Sequence, residues 1–296
     1  MIHPLIGADA LAGAIADGTM RVADVRWYLA DPDGGHAAYR SGHLPGAVFV
    51  SLDDDLSSHP GPGRHPLPTR EAFASTMGRL GLGDDHLIVA YDDRGGAIAS
   101  RLWWMLRDIG HEAAAVLDGG IQGWLATGRP LAIVIPAPAP AHLSVLPSLT
   151  RSIDRAALAE RLGKVILIDA RAGERYRGEV EPVDPVAGHI PTAHNVPQTE
   201  NLATDLRFLP PRMLSARYQD VGVSRIGDTV VYCGSGVTAC HDILAMTVAG
   251  LPEPMLYPGS WSDWSTAGMP VETGTEDSGY PLPATSHQQE ATSRDD

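Results

Sequence analysis

The amino-acid sequence predicts an α/β fold made by tandem duplication, in which each of two domains has an open, mainly parallel sheet with helices on both faces. Two observations predict this fold. Several segments recur in the same order about half the chain apart. Within each copy, short apolar runs rich in β-branched residues alternate with helical patterns, as expected when helices cover a parallel sheet. A length of 296 residues with 44% hydrophobic residues also fits two globular domains.

Four pairs of segments establish the duplication, and the second member of each pair begins 145, 146, 141 or 140 residues after the first. The near-constant spacing means that the two copies differ only by small insertions. The pairs are VADVRW (22–27) with LIDARA (167–172), GHLPGA (42–47) with GHIPTA (188–193), IVAYDDRGG (88–96) with TVVYCGSGV (229–237), and DGGIQGW (118–124) with PGSWSDW (258–264).

The predicted elements follow this order in both copies. Residues 165–168 and 229–232 are short apolar runs bounded by polar residues or glycine, which is typical of buried parallel strands. Residues 99–109 and 239–248 have the spacing of helices. Each predicted strand and helix is therefore part of a repeating strand–helix unit.

Composition divides the chain into four parts. Residues 1–135 form the predicted N-terminal domain and residues 151–274 the C-terminal domain. Between them, residues 136–150 contain spaced prolines that favour an extended linker and oppose a helix. Residues 275–296 are polar and acidic with little apolar surface to bury, so we expect a disordered tail.

Charge and cysteine content exclude several classes of protein. The formal net charge of −14 disfavours nucleic-acid binding, which rewards a basic surface. No run approaches the ~20 apolar residues of a membrane span, and the N-terminus has no signal-peptide pattern. The two cysteines, Cys233 and Cys240, cannot form a disulfide framework. We expect a cytoplasmic protein that binds neither membrane nor nucleic acid.

One of the cysteines has the setting of a nucleophile. Cys233 ends a predicted strand and is followed by a glycine-rich turn and a helix, so backbone N–H groups can surround its sulfur. A buried structural cysteine is the alternative. The other copy has Asp92 at this position, so the fold does not require a cysteine there. The residues of the turn, which we expect to hold an anion, are Gly234, Ser235, Gly236, Val237 and Thr238.

The motif CGSGVTA (233–239), the two GHxPxA segments, the DGGxxGW segment and the tandem arrangement resemble the two-domain rhodanese family of sulfurtransferases. The resemblance extends over about residues 21–274. It implies two rhodanese-type domains, of which the first is non-catalytic and the second carries the nucleophile Cys233.

Within that family, thiosulfate sulfurtransferases tend to have two cationic residues after the cysteine, whereas 3-mercaptopyruvate sulfurtransferases have Gly-Ser. Gly234 and Ser235 therefore favour 3-mercaptopyruvate, whose single carboxylate needs less positive charge than dianionic thiosulfate. The resemblance implies that Cys233 forms a persulfide, releases pyruvate and passes sulfur to a small thiol, a thioredoxin-like protein or cyanide. No cofactor or metal is expected.

Other activities remain as alternatives. A thiosulfate:cyanide sulfurtransferase would form the same persulfide from a different donor, and a non-enzymatic carrier would hold the persulfide for a partner. A cysteine phosphatase requires an arginine that closes the loop on phosphate, and the six residues after Cys233 include none.

Polar residues that follow the strand at 165–168 are candidates for the substrate site, because guanidinium groups bind carboxylates in a bidentate manner. The resemblance assigns substrate binding to Arg175 and bracing of the domain to Asp169 and Arg171. The family's second substrate arginine is replaced by Asp184, and Arg177 is a candidate substitute, with solvent exposure as its alternative.

The first domain contributes a candidate proton relay. In 3-mercaptopyruvate sulfurtransferases, an aspartate and a histidine eleven residues apart complete a relay with the loop serine, and Asp54 and His65 have this spacing. Ser235, His65 and Asp54 are thus predicted to handle protons near neutral pH. The alternative is that His65 only forms a hydrogen bond between the domains while Asp54 is solvated. Cys240 is predicted to be a core residue.

Overall fold

The structure is a computed structural model, and it describes residues 2–18, 20–224 and 226–275. Apart from Thr275, the predicted tail at 275–296 lies outside the described residues. No helix in the described part of the chain is both long and apolar enough to cross a bilayer.

The first half of the chain forms a five-stranded sheet in the order β1-β5-β4-β2-β3, with every neighbouring pair parallel. Glycines and prolines lie in the segments that connect the strands and helices. The elements are β1 (Leu5–Ile6), α1 (Ala8–Asp17), β2 (Met20–Asp24), α2 (Gly34–Ser41), β3 (Val48–Phe49), α3 (Arg70–Arg79), β4 (Leu87–Tyr91), α4 (Ala99–Asp108), β5 (Ala114–Leu117) and α5 (Gly120–Ala126).

The second half repeats this sheet in the order β6-β10-β9-β7-β8, again parallel throughout. Because the strand order is the same in both halves, the predicted tandem duplication and α/β fold are confirmed. The elements are β6 (Arg151–Ser152), α6 (Arg155–Ala159), β7 (Ile166–Asp169), α7 (Gly173–Tyr176), β8 (Ala193–Asn195), a 3-10 helix (Gln198–Asn201), α8 (Pro211–Asp220), β9 (Thr229–Tyr232), α9 (Ala239–Val248), β10 (Met255–Leu256) and α10 (Ser260–Thr266).

Apolar side chains alternate between the two faces of each sheet, as the period of a strand requires. In β4, Ile88 and Ala90 join a central cluster, whereas Val89 and Tyr91 join an outer one. In β9, Val231 points to the same central cluster. This central cluster contains residues of α4 and α9 and is shared by both domains, so the two sheets are held together by a continuous core.

The linker predicted at 136–150 contains neither helix nor strand. It follows the surface of the first domain, where the N–H of Ala141 donates to the carbonyl of Gly78 at 2.9 Å and that of Leu146 donates to Ile109 at 2.8 Å. The domain boundaries at residues 135 and 151 stay a prediction.

Candidate active site

Cys233 immediately follows β9 at the carboxyl edge of the second sheet and is only 2% exposed. Its N–H donates to Ser260 Oγ at 3.1 Å, and its carbonyl accepts from the N–H of Trp261 at 3.0 Å. The carbonyl of Gly234 likewise accepts from the N–H of Ser262 at 2.9 Å. The start of α10 therefore fixes the backbone that carries the cysteine.

The two loop glycines are required for different reasons. Gly236 has φ +76°, and a Cβ there would lie 2.3 Å from the carbonyl oxygen of Pro258. A Cβ on Gly234 would lie 3.0 Å from Nη2 of Arg64 and 3.5 Å from Nη1 of Arg175. Gly236 thus satisfies the backbone conformation, while Gly234 leaves room for two guanidinium groups.

The remaining predicted loop residues surround the same turn. Val237 is buried, and Thr238 is the residue that precedes the first turn of α9. Ser235 is buried as well. The structure therefore brings together all five residues that follow Cys233 in the predicted anion-binding loop.

The corresponding loop of the first domain shows how this turn holds negative charge. The carboxylate of Asp92 is fully buried and accepts four backbone N–H hydrogen bonds of 2.7 to 2.9 Å. Cys233 takes the place of Asp92 in the duplicated sequence, so the second loop offers the same kind of turn to a sulfur anion. The donors to Asp92 are the N–H groups of Arg94, Gly96, Ile98 and Ala99.

Ser235 and His65 are brought together across the domain interface, with 2.8 Å between Oγ and Nδ1. The opposite ring nitrogen, Nε2, lies 3.3 Å from Oδ1 of Asp53. Burial lowers the pKa of His65 to about 4, although Asp53 opposes this shift. The imidazole is therefore neutral near pH 7. Because a carboxylate can only accept, Nε2–H donates to Asp53 and Nδ1 accepts from the Ser235 hydroxyl.

The acid beside His65 is thus Asp53, not the predicted Asp54. Asp53 is also held by Trp27, whose Nε1–H donates to Oδ2 at 2.8 Å. The carboxylate of Asp54 is exposed and accepts from the Ser51 hydroxyl at 3.1 Å. The eleven-residue spacing between Asp54 and His65 identified the correct acidic turn. Because this turn has three consecutive aspartates, its backbone geometry determines which of them contacts His65, and that residue is Asp53.

Arg175 lies beside Gly234 of the cysteine loop, within a cluster of charged side chains, and its predicted role in substrate binding stays a prediction. Its Nη2 donates to Glu181 at 2.6 Å and to Oδ2 of Asp184 at 3.2 Å. Arg64 of the first domain forms an ion pair with the other oxygen of Asp184. Burial raises the pKa of Asp184, while Arg64 opposes the shift. Arg64 was not among the predicted site residues, although its position next to His65 was a signal.

The other two arginines of this segment have structural partners. Arg171 is buried, pairs with Asp169 at 2.6 Å and donates to the carbonyl of Gly188 at 2.7 Å, contacts that agree with the predicted bracing of the domain by Asp169 and Arg171. Arg177 donates to Glu179 at 2.7 and 2.8 Å. The described contacts of Arg177 are with Glu179 rather than with the loop of Cys233, so the structure does not bring this predicted substrate residue into the site.

A second missed residue, Arg101 of α4, is fully buried between the domains. It donates at 3.0 Å to the carbonyls of both Gly236 and His65, and so connects the cysteine loop to the histidine loop. Burial lowers the pKa of Arg101, and the nearby sulfurs of Cys240 and Cys233 oppose that shift.

Cys240 lies in the core, as predicted. It is fully buried, and its thiol donates to the carbonyl of Gly236 at 3.5 Å. Burial raises the pKa of Cys240 to about 12. The thiol is therefore protonated at neutral pH and unsuited to act as the nucleophile.

An open cleft of about 490 Å³ lies at the domain interface and is lined by residues of both domains, among them Gly63, Arg64, Asp184 and Ser262. Among the described residues, no cluster of three or more His, Cys, Asp or Glu side chains could hold a metal ion. The site thus consists of a cysteine in a glycine-rich loop, a Ser–His–Asp chain and two arginines.

Comparison with known proteins gives matches to rhodanese-like domains and to sulfurtransferases. A family model described as the rhodanese-like domain matches residues 7–127 and again 154–267. A Pseudomonas aeruginosa protein named probable 3-mercaptopyruvate sulfurtransferase is 43% identical over 278 residues, which cover 91% of this chain and 98% of that protein. A Mycobacterium tuberculosis protein named putative thiosulfate sulfurtransferase is 45% identical, with 92% and 97% covered.

The fold comparison agrees with the sequence matches. The crystal structure of a 3-mercaptopyruvate sulfotransferase from Escherichia coli superposes with a TM-score of 0.78 at 33% identity, and the alignment covers 88% of this chain and 100% of that chain.

Proposed function

The chain belongs to the rhodanese-like family, and from this premise we propose that it moves sulfur from 3-mercaptopyruvate to a thiol or cyanide through a persulfide on Cys233. The observation that carries this proposal is the hydrogen-bonded Ser235–His65 pair beside a cysteine loop that itself contains no cation. The name of the relative from Pseudomonas aeruginosa supports the same donor.

In the first half-reaction, the Cys233 thiolate attacks the sulfur of 3-mercaptopyruvate. A sulfur–sulfur bond forms while the carbon–sulfur bond breaks, and its electron pair leaves with the three-carbon fragment as the enolate of pyruvate. The outer sulfur stays on Cys233, surrounded by backbone N–H groups in the manner of the Asp92 carboxylate.

The Ser–His–Asp chain moves the proton in this step. The donor's thiol proton passes through the Ser235 hydroxyl to Nδ1 of His65, and the resulting imidazolium is stabilised by Asp53 at 3.3 Å. The same proton then returns to the enolate carbon to give pyruvate. Burial lowers the pKa of His65, which favours return of the proton from the imidazolium.

In the second half-reaction, an acceptor attacks the outer sulfur and regenerates the Cys233 thiolate. A small thiol or a thioredoxin-like protein would leave as a persulfide, and cyanide would leave as thiocyanate. We place this chemistry in the cytoplasm, since both cysteines are free thiols and a reducing compartment keeps them so.

Thiosulfate is the second candidate donor. The Mycobacterium tuberculosis relative is named as a putative thiosulfate sulfurtransferase, and two guanidinium groups flank Gly234, where a dianion could be neutralised. A carrier without turnover is the remaining alternative. The ratio of the two donor activities separates these candidates, because all of them share the Cys233 persulfide.

The test is a paired assay of pyruvate release from 3-mercaptopyruvate and thiocyanate formation from thiosulfate with cyanide. Each assay is run with the native protein, Cys233→Ser and Cys240→Ser. The proposal predicts higher turnover with 3-mercaptopyruvate, abolished in Cys233→Ser and retained in Cys240→Ser. Faster turnover of thiosulfate would favour the second candidate, and a persulfide without turnover would favour the carrier.

A further inference from the structure

We infer that Arg64, contributed by the non-catalytic first domain, is a second cation that binds the donor's carboxylate together with Arg175. This inference deepens the proposed function and rests on it. In this chain, the position of the second arginine expected from the family resemblance is occupied by Asp184. Arg64 supplies a guanidinium at the same place from a segment 120 residues away in sequence.

The carboxylate of Asp184 orients both guanidinium groups. Its Oδ1 pairs with Nη1 of Arg64, and its Oδ2 accepts from Nη2 of Arg175 at 3.2 Å. The other terminal nitrogens, Nη2 of Arg64 and Nη1 of Arg175, lie 3.0 and 3.5 Å from where a Cβ of Gly234 would stand. Each arginine therefore binds Asp184 with one nitrogen and presents the other to the catalytic loop.

These two presented nitrogens have no hydrogen-bond partner among the described residues, whereas Nη1 of Arg64 and both Nε and Nη2 of Arg175 are hydrogen-bonded to Asp184 or Glu181. Two N–H donors on adjacent guanidiniums, both facing the residue after Cys233, match the two oxygens of a carboxylate. A donor whose carboxylate sits there would place its sulfur close to the nucleophile. The pair forms only when both domains are in place.

The backbone of Arg64 is held by contacts that do not involve its side chain. Its N–H donates to Ser262 Oγ at 3.0 Å. The preceding Gly63 has φ +77°, and a Cβ there would lie 2.5 Å from the carbonyl oxygen of Gly259. The side chain is 30% exposed and borders the interdomain cleft, so it can be replaced without opening the core.

The experiment compares Arg64→Met with the native protein and with Arg129→Met, a matched control in which another first-domain arginine loses its carboxylate partner, Asp9. Steady-state kinetics with 3-mercaptopyruvate give KM and kcat separately. Loss of a charged hydrogen bond to the carboxylate predicts a rise in KM of about tenfold in Arg64→Met, with kcat within about twofold of native. Arg129→Met should match the native protein, and thermal unfolding checks that both variants fold.

A second readout does not depend on the natural donor. Iodoacetate and iodoacetamide alkylate the same thiol, but only iodoacetate carries a carboxylate. The ratio of their rates at Cys233 should fall several-fold in Arg64→Met, because the anionic reagent loses its partner while the neutral reagent does not. Peptide mass analysis assigns the alkylation to Cys233.

The outcomes separate this inference from the proposed function. A native protein that does not use 3-mercaptopyruvate, with an alkylation ratio that still falls in Arg64→Met, contradicts the donor but supports the carboxylate site. An active native protein whose KM and alkylation ratio are unchanged by Arg64→Met overturns the inference. A fall in kcat alone also overturns it, because Arg64 would then act on the chemical step and not on carboxylate binding.

Discussion

The pair of adjacent acids Asp53 and Asp54 provides a stringent test of the proton relay. Replacement of Asp53 by Asn removes the negative charge that faces His65 but keeps an oxygen able to accept from Trp27. Replacement of Asp54 by Asn removes an equal charge one residue away, where the partner is Ser51. The two variants therefore have the same net charge, but only Asp53→Asn changes the contact with His65.

The expected effect follows from the 3.3 Å separation of Nε2 of His65 and Oδ1 of Asp53. Coulomb attraction at this distance is about 5 kcal/mol at an effective dielectric constant of 20 and about 1.3 kcal/mol in water. Because Asp53 is 42% exposed, a value near the water limit applies, about 1.3 to 2 kcal/mol. Each 1.36 kcal/mol changes a rate tenfold, so Asp53→Asn should lower kcat by about 10- to 30-fold.

The assay is pyruvate release from 3-mercaptopyruvate as a function of pH. Asp53→Asn should lower kcat and also shift the acidic limb of the profile to lower pH, since Asp53 raises the pKa of His65 against the effect of burial. Asp54→Asn should change kcat by less than about twofold. A larger loss in Asp54→Asn than in Asp53→Asn, or equal losses in both, would refute the relay described here.

Three further predictions concern buried ionisable side chains. Arg101→Met should lower the free energy of unfolding, measured by urea titration, by about 2 to 4 kcal/mol, because the carbonyls of Gly236 and His65 lose their shared donor. The same substitution should reduce turnover. An unchanged free energy of unfolding would contradict this role of Arg101. His241 is buried with its pKa lowered to about 4, so stability should fall by on the order of 3 kcal/mol between pH 6.5 and pH 4, and His241→Gln should flatten that part of the curve of Tm against pH. Asp242 is buried with its pKa raised to about 8, so its contribution to stability should fall as pH rises from about 4 to 8. If the stability of Asp242→Asn depends on pH over that range as strongly as the stability of the native protein, this prediction is wrong.

The sequence predicted the elements that depend on local pattern. The helix at 239–248 is found with those bounds, and the strand predicted at 165–168 is displaced by one residue to Ile166–Asp169. A run of apolar residues identifies a buried strand but does not set its ends, because the ends depend on pairing with neighbouring strands. The equivalence of Cys233 and Asp92 was also visible, since both follow the same strand of the duplicated sheet.

The parts of the site that the sequence did not predict are contacts between distant segments. Arg64 meets Asp184 across 120 residues, and Arg101 meets Gly236 across 135 residues. Neither contact leaves a periodic pattern, because each depends on how the two domains pack along α4 and α9. Which of Asp53 and Asp54 contacts His65 likewise depends on the backbone conformation of the turn that contains them. The place of Arg64 and Arg101 in the candidate site could be identified only from the packing of the two domains in the structure.

A single-turnover reaction of the native protein with one equivalent of 3-mercaptopyruvate and no acceptor tests directly whether Cys233 forms a persulfide. Pyruvate is measured by its reduction, and the protein is analysed by intact and peptide mass spectrometry. We expect one pyruvate released per chain and one sulfur atom gained on Cys233. Pyruvate release without added sulfur, or sulfur found on Cys240 instead, would contradict it.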